Sequence, residues 1–174
     1  GITVNLRPAE SHTITLRNNI FSNTGSDIRI TQSGGPALNL VSLGDNIFSD
    51  ATLSPTAAGD LINTDPLLDI LDDYGGSTRT MALRPGSPAI NAGNATGAPT
   101  TDQRGFARVG ATDIGAFESQ GFTLALASGN NQSAGTSTNF ASPLSVTANY
   151  VNGGAMNSGQ VTFTPPGSGA SATI

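Results

Sequence analysis

Four aspartates could together bind a cation. Asp65, Asp69, Asp72 and Asp73 lie within nine residues of one another, and carboxylate oxygens are ligands that Ca²⁺ prefers. Their spacing fits neither the EF-hand loop nor the glycine-rich calcium repeat, and short Asp side chains are also common turn residues. We expect them to cap turns. Calcium binding near Asp69, Asp72 and Asp73 stays open as the alternative.

A second acidic group surrounds an arginine. Asp102, Asp113 and Glu118 lie close in sequence to Arg104, and such carboxylates could exchange protons in general acid–base catalysis. A guanidinium, however, forks onto a carboxylate in a fixed geometry that favours a structural ion pair. We expect Arg104 and these acids to form structural ion pairs that hold together loops with little hydrophobic core of their own.

Histidine and cysteine chemistry is limited by composition. The chain has one histidine, His12, and no cysteine. A Ser-His-Asp triad would have to use His12, yet no nucleophile-elbow pattern is present, and one histidine cannot form a histidine metal cluster. The sequence predicts no catalytic, cofactor-binding or metal-binding residue, and therefore a non-enzymatic protein without a cofactor.

A ten-residue segment recurs in the first third of the chain. Ile14–Asn23 (ITLRNNIFSN) returns 27 residues later as Val41–Asp50 (VSLGDNIFSD), with five identical positions. Apolar residues alternate with small polar ones, as in a strand with one buried face, and repeats of about this length are typical of stacked β-structures. We expect Asn19 and Asn46 to be corner residues whose amides hydrogen-bond to each other.

The residues after these asparagines should also stack. Ile20 would lie over Ile47, and Phe21 over Phe48. Adjacent side chains of a strand point in opposite directions, so we expect one of each pair inside and the other near a bend. Further strands are predicted from short alternating runs between Asn/Gly/Ser corners. They cover residues 2–6, 13–16, 27–31, 38–41, 122–127, 144–150 and 161–164.

Composition indicates an all-β chain and excludes several functions. Gly, Pro, Ser, Thr and Asn are abundant, which favours many tight corners. The net charge is −5, with no lysine and no basic cluster, so nucleic-acid binding is not expected. No apolar run reaches the roughly 20 residues of a membrane-spanning helix. Because the chain starts at Gly1 and stops within a strand-like run, we expect it to be a piece of a larger polypeptide.

Three stretches of the chain differ in their residue patterns. Residues 1–58 hold the repeat, residues 59–118 are dense in Pro-Gly turns, and strand-like runs about ten residues apart follow from Gly121. The middle stretch is predicted to be a loop-rich cap over a β-stack, since open stacks need covering. The last stretch has the spacing of an antiparallel sandwich. We place the domains at 1–118 and 121–174.

The middle stretch resembles a known family. The blocks that carry the resemblance are LINTDPLL (61–68), GGSTRTMALRPGSPAINAG (75–93), TDQRG (101–105) and DIGAFE (113–118). They are similar to the ending of bacterial "choice-of-anchor Q" proteins, over roughly residues 36–118. The resemblance implies a large extracellular protein and the C-terminal end of a right-handed parallel β-helix with its loop-rich cap. It implies no catalytic residue.

The last stretch resembles bacterial immunoglobulin-like repeats of surface adhesins. The runs FASPLSVT (140–147) and VTFTPPGSGASAT (161–173) carry this similarity. It implies a partial Ig-like β-sandwich in a secreted or cell-surface protein.

These expectations combine into a structural or adhesin-like, extracellular role. Open strand edges could pair copies of the chain head to tail into a fibre, and the expected partners are such copies, other surface components or glycans. The alternative is a β-helix protein that binds or degrades polysaccharide. A polysaccharide-degrading β-helix would use matching acidic or basic residues from adjacent rungs. Here the repeat matches Arg17 with Gly44 and Asn18 with Asp45, so neither kind of residue occurs at the same position in both copies.

Overall fold

The chain is all-β, as predicted. A computed structural model describes residues 2–6, 11–32, 39–51 and 57–164, and no helix occurs among them, so this part of the chain contains nothing that could cross a membrane as a helix. The eleven strands are β1 Ile2–Leu6, β2 Thr13–Leu16, β3 Ile20–Phe21, β4 Ile28–Gln32, β5 Asn39–Ser42, β6 Ile47–Phe48, β7 Leu68–Asp72, β8 Thr80–Leu83, β9 Phe122–Ser128, β10 Ser145–Tyr150 and β11 Gly154–Ala155.

The first six strands form three parallel pairs. β1 pairs with β4, β2 with β5 and β3 with β6. We call β1–β3 the first layer and β4–β6 the second layer. Leu61 forms a further parallel bridge to Ile47 and begins a third layer. The first two layers therefore each contribute one strand to each of three sheets, and no described residue pairs with the other edge of the first-layer strands.

The spacing between layers is not uniform. Ile20 pairs with Ile47, 27 residues on, as the repeat predicts. Ile14, however, pairs with Leu40, 26 residues on, and not with Val41. The corner of the second layer has one residue more, so Leu43 is 45% exposed while Leu16, its match by sequence, is 7% exposed.

A glycine allows the longer corner. Gly44 has a φ of +97°, and a Cβ there would overlap the Ala58 carbonyl oxygen. A side chain at this position would therefore be strained by its backbone angle and would also collide with the third layer.

Both faces of the β3–β6 pair are buried. Phe21 stacks on Phe48, with ring centroids 5.1 Å apart and planes 3° apart, in a core between the layers that includes Leu16 and Ile28. Ile47 is fully buried in a second core on the other side. Residues 59–118 cover the outer face of the pair, so Ile47 is buried there as well as Phe48 on the inner face.

The loop-rich segment 59–118 lies along the side of the layers. In it β7 pairs with β8 antiparallel, and Leu83, Ala89, Ile114 and Phe117 form most of its core. The segment also reaches the first layer, where the Gly115 N–H donates to the Asn18 carbonyl at 3.0 Å. It therefore braces successive layers against each other.

The last strands form one antiparallel sheet in the order β11-β10-β9. Its buried end is Tyr150, which packs with Tyr74 and Phe117 of the loop-rich segment. Of the three strands predicted here, those around β9 and β10 are confirmed. The strand predicted at 161–164 is wrong, since no partner strand pairs with these residues among those described.

Candidate functional site

The Arg104 guanidinium lies at the centre of the loop-rich segment. The side chains of Arg104 and Asp102 are fully buried, and Nη2 lies 2.7 Å from Oδ2. Nη1 donates to the Tyr74 carbonyl at 3.1 Å and Nη2 to the Glu118 carbonyl at 2.6 Å. The guanidinium carbon lies 3.6 Å from the centroid of the Phe117 ring, which adds a cation–π contact. The predicted ion pair of Arg104 is confirmed, and it ties three loops together.

Glu118 is held by a second arginine that the sequence did not single out. Its Oε2 accepts from Arg108 Nη1 at 2.7 Å and from the Asp113 N–H at 3.0 Å, and its Oε1 accepts from the Val109 N–H at 3.1 Å. The Glu118 side chain is fully buried. Its charge is therefore compensated within the fold.

Asp113 is fixed in the same way by backbone donors. Oδ1 accepts from the Asn91 N–H at 2.7 Å, and Oδ2 from the Ser119 N–H at 2.6 Å. Burial raises the pKa of the Asp113 carboxyl above its ordinary value, the nearby Glu118 charge adds to this, and the two N–H groups oppose it. With Asp102 and Glu118, this acid holds loops in place, and all six carboxylate oxygens of the group accept hydrogen bonds from the protein.

The four aspartates proposed as cation ligands do not converge. Asp65, Asp72 and Asp73 each accept a hydrogen bond from a backbone N–H one or two residues further on, at 2.8–3.0 Å. This confirms the predicted turn capping. Among the residues that the structure describes, no three His, Cys, Asp or Glu side chains could together hold a metal ion.

Asp69, the fourth of these acids, joins the loop-rich segment to the last sheet. Its Oδ2 accepts from the Tyr150 hydroxyl at 2.8 Å and from the Asn157 N–H at 3.1 Å. Its Oδ1 accepts from the Ile70 N–H at 2.8 Å and the Ser158 hydroxyl at 3.4 Å. Burial opposes ionisation of Asp69, but these four donors outweigh it and hold its pKa below the ordinary value.

Two tyrosines complete this junction. Their rings meet edge to face, with centroids 5.2 Å apart for Tyr74 and Tyr150. Burial raises the pKa of both hydroxyls above the ordinary value, so they stay protonated donors near neutral pH. The Tyr74 hydroxyl donates to the Ile70 carbonyl at 3.1 Å and accepts from Asn157 Nδ2 at 3.2 Å. These ring contacts and hydrogen bonds hold the last sheet against the loop-rich segment.

His12 shows no catalytic arrangement. Its backbone carbonyl accepts from the Asn39 N–H at 2.9 Å. In the described part of the chain its ring hydrogen-bonds to no serine or carboxylate.

The corner residues form a ladder from layer to layer. Asn19 donates its backbone N–H and its Nδ2 to Asn46 Oδ1, at 3.0 and 3.1 Å. Asn46 donates the same two groups to Asp60 Oδ1, at 3.0 and 2.9 Å. The predicted Asn19–Asn46 bond is confirmed. Asp60, the third member, was missed because the third layer carries Asp for Asn and Leu for Ile.

A left-handed residue precedes each member of the ladder. Asn18, Asp45 and Gly59 have φ values of 54°, 58° and 83°. Asn and Asp tolerate this angle and Gly adopts it freely, so the three different sequences make the same corner. The left-handed angle of each corner therefore belongs to the residue before the ladder member.

Two grooves meet at the open edge of β3. One, of about 490 Å³, is lined by Ile20, Phe21 and Thr80 among others. The other, of about 540 Å³, runs past Arg17 and Arg108. Asn18, Asn19, Gln103, Gly115 and Ala116 line both.

These grooves contain few groups free for chemistry. Asp102 and Arg108 border the second groove, but they are paired with Arg104 and Glu118. The groups that lack a partner are different ones. Among the described residues, Thr80 is 4% exposed and its Oγ1 makes no hydrogen bond, and no donor reaches Asn19 Oδ1, whose side chain donates through Nδ2.

Comparison of the chain with protein-family models, with curated proteins and with solved structures gives no match. The resemblance carried by the blocks of residues 61–118 therefore remains an interpretation of those residues.

Proposed function

We propose that the chain is the end of a right-handed parallel β-helix followed by part of an Ig-like sandwich, and that it is a non-enzymatic, secreted or cell-surface structural or adhesin-like protein. The observation that carries the proposal is the ladder. The same pair of donors bonds to the Oδ1 atom of the next ladder residue in two successive layers. Such regular stacking is the property of a solenoid, which displays surfaces or spans distances.

The acidic groups support a structural role. A catalytic acid or base must reach substrate with a free oxygen. In the loop-rich segment, the oxygens of Asp102, Asp113 and Glu118 accept hydrogen bonds from backbone N–H groups and arginines instead. Binding or degradation of polysaccharide is the alternative, and it would have to use the grooves beside β3.

The last sheet supports assembly with other chains. Within the part of the chain that the structure describes, β9 is an edge strand of this sheet, and every residue in it is exposed. Leu124 and Leu126 are 64% and 52% exposed on one face. An apolar edge strand of this length is a template for pairing with another chain, so we propose that copies associate through it, in the manner of a fibre.

Two assays test the proposal. The purified chain is incubated with acidic and neutral polysaccharides, with and without Ca²⁺, and new reducing ends are measured. We expect none above a heat-denatured control, and steady product release would overturn the non-enzymatic role. Sedimentation over a wide concentration range should show growing assemblies. A single monomeric species throughout would remove fibre assembly from the proposal.

Location is tested separately. An antibody against the folded chain should label intact cells that produce the protein, or the protein should be recovered from their medium. Labelling only after cell lysis would contradict the extracellular assignment.

A further inference from the structure

We infer that the last sheet does not swivel on the loop-rich segment, because two separate attachments join the two into one rigid body. One attachment is the connector, which we define as residues 118–121, and the other is the contact around Asp69. The inference goes beyond the proposed function, since it concerns the direction in which the last sheet points and not what the chain binds.

The connector lacks the properties of a flexible linker. Linkers between domains are exposed and are crossed by few contacts. Here Glu118 is fully buried. Ser119, Gln120 and Gly121 are half-buried, and each of the four residues makes a hydrogen bond to a residue outside the connector. The chain is therefore held along its whole passage from the loop-rich segment to β9.

The buried acids supply the first attachment. The Glu118 N–H donates to Asp102 Oδ2 at 3.1 Å. The Ser119 N–H donates to Asp113 Oδ2 at 2.6 Å, and Arg104 Nη2 donates to the Glu118 carbonyl at 2.6 Å. Hydrogen bonds with one charged partner are stronger than neutral ones. The acids and the arginine that could have suggested catalysis thus clamp the backbone of the connector.

Asp69 supplies the second attachment, on the other side of the sheet. Its carboxylate accepts from the Tyr150 hydroxyl, at the end of β10, and from the Asn157 N–H and the Ser158 hydroxyl, after β11. In the described part of the chain the sheet order is β11-β10-β9, and the connector leads into β9. Because neighbouring strands lie about 4.8 Å apart, the two attachments are separated by roughly 5–10 Å across the sheet. Two attachments at different strands oppose rotation about either one.

An irregularity in β7 aims Asp69 at the last sheet. Leu68 pairs with Leu83 and Leu71 with Met81, so the same interval takes one more residue in β7 than in β8. An extra residue of this kind turns a side chain in a new direction. Asp69 lies within the irregular interval and is 1% exposed. Its direction is therefore set by the pairing of β7 with β8.

Packed rings and backbone fill the space between the two attachments. The Tyr150 ring meets the Tyr74 and Phe117 rings edge to face, with centroids 5.2 and 6.3 Å apart. The turn after β10 lies so close to the loop-rich segment that a Cβ on Gly75 would be 3.0 Å from the Asn152 carbonyl oxygen. Since close-packed groups have no free space to move into, rotation of the sheet would have to separate these rings.

Spin labels on engineered cysteines test the inference, because the chain has no cysteine of its own. The reporting pair is Thr13→Cys with Ser145→Cys, which places one label on β2 and one at the end of β10 away from Tyr150, both at exposed residues. The reference pair is Thr13→Cys with Thr101→Cys, also exposed and outside the last sheet. Double electron–electron resonance gives the distribution of label distances, with unlabelled parent chain in excess so that only distances within one chain are measured. We expect the reporting pair to give one maximum as narrow as that of the reference pair.

Two matched variants test the second attachment. Asp69→Asn turns an amide N–H toward the O–H and N–H donors that now bind the carboxylate. Asp72→Asn makes the same change at an acid that accepts from the Asp73 N–H within the loop-rich segment. We expect Asp69→Asn to widen the distribution of the reporting pair about twofold or more, as for a domain free to move, and Asp72→Asn to leave it unchanged.

The reference pair shows whether each variant keeps its fold. Its distribution should stay as in the parent. If Asp69→Asn widens it too, Tyr150→Phe replaces that variant with the same expectation, because it removes only the hydroxyl that donates to Asp69.

Two results would overturn the inference. The first is a reporting pair that is wider than the reference pair in the parent chain, or that has two maxima. The second is no greater widening by the variant at the second attachment than by Asp72→Asn. Neither result depends on polysaccharide release or on extracellular location, so the proposed function is tested independently.

Discussion

The ladder predicts that Asn46→Asp destabilises the chain far more than Asn19→Asp does. Both changes replace one amide by an oxygen of nearly the same size. Asn46 is fully buried, and its Nδ2 lies 2.9 Å from Asp60 Oδ1 and 3.0 Å from the Gly44 carbonyl. The substitution therefore places a new oxygen against acceptors on two sides. Asn19 lies at the open end, beside the grooves.

The magnitude follows from the bonds lost. A hydrogen bond to a charged acceptor such as Asp60 is worth about 1.5–3 kcal/mol, and leaving buried acceptors unpaired costs a further 1–3 kcal/mol or so. We expect Asn46→Asp to cost about 3–5 kcal/mol. Asn19→Asp loses bonds to neutral acceptors at a site that water can reach, so about 1 kcal/mol is expected.

Thermal unfolding followed by far-UV circular dichroism is the assay. For a chain of this size each kcal/mol lowers the midpoint by roughly 2–4 °C, so Asn46→Asp should lower it by roughly 6–20 °C and Asn19→Asp by roughly 2–4 °C. Equal shifts for the two variants, or a larger shift for Asn19→Asp, would refute the ladder as a source of stability.

Three further predictions concern the braces and corners. Arg104→Lys should cost about 3–5 kcal/mol in urea denaturation, since an ammonium beside Asp102 cannot also reach the Tyr74 and Glu118 carbonyls and each bond from a charged donor is worth about 1.5–3 kcal/mol; the exposed Arg79→Lys should stay within about 0.5 kcal/mol, and similar costs would contradict the role of the guanidinium. Asp69 has a lowered pKa in the folded state, so its stabilisation is complete above the unfolded pKa of about 3.9 and is lost as the pH falls through the folded value. The gap in unfolding free energy between the parent and Asp69→Asn should therefore shrink below about pH 4, and a constant gap would count against this. Gly44→Ala and Gly86→Ala both introduce left-handed strain of about 1–2 kcal/mol, but only the Gly44→Ala side chain would collide with backbone, at the Ala58 carbonyl oxygen. A thermal midpoint no lower for Gly44→Ala than for Gly86→Ala would show that this collision is absent.

The all-β class and most strands could be predicted because they depend on local patterns. In β2, Thr13 and Thr15 are exposed and Leu16 is buried, which the alternation of polar and apolar residues predicts directly. The register of that strand could not be predicted. Matching residues by identity places Leu16 on Leu43, whereas the number of corner residues decides which residues pair.

The same distinction between local and distant contacts applies to the candidate site. Turn capping by Asp65, Asp72 and Asp73 involves near neighbours, so it follows from residue type. The bond between Asp69 and Tyr150 joins residues 81 positions apart, and nothing in the local sequence of either specifies the other. The pair of Arg108 with Glu118 is closer, but several arginines could have taken that place.

Disulfide formation between engineered cysteines tests the stacked layers most directly, because the chain has no cysteine of its own. Thr15 pairs with Val41 across β2 and β5, and directly paired residues in neighbouring strands lie within the Cα distance that a disulfide spans. We predict that Thr15→Cys with Val41→Cys forms an intramolecular disulfide under mild oxidation. Thr15→Cys with Ser42→Cys, the pair that a uniform repeat of 27 would bring together, should not. Cross-linking of the second pair alone, or of neither, would contradict the layered register on which the scaffold role depends.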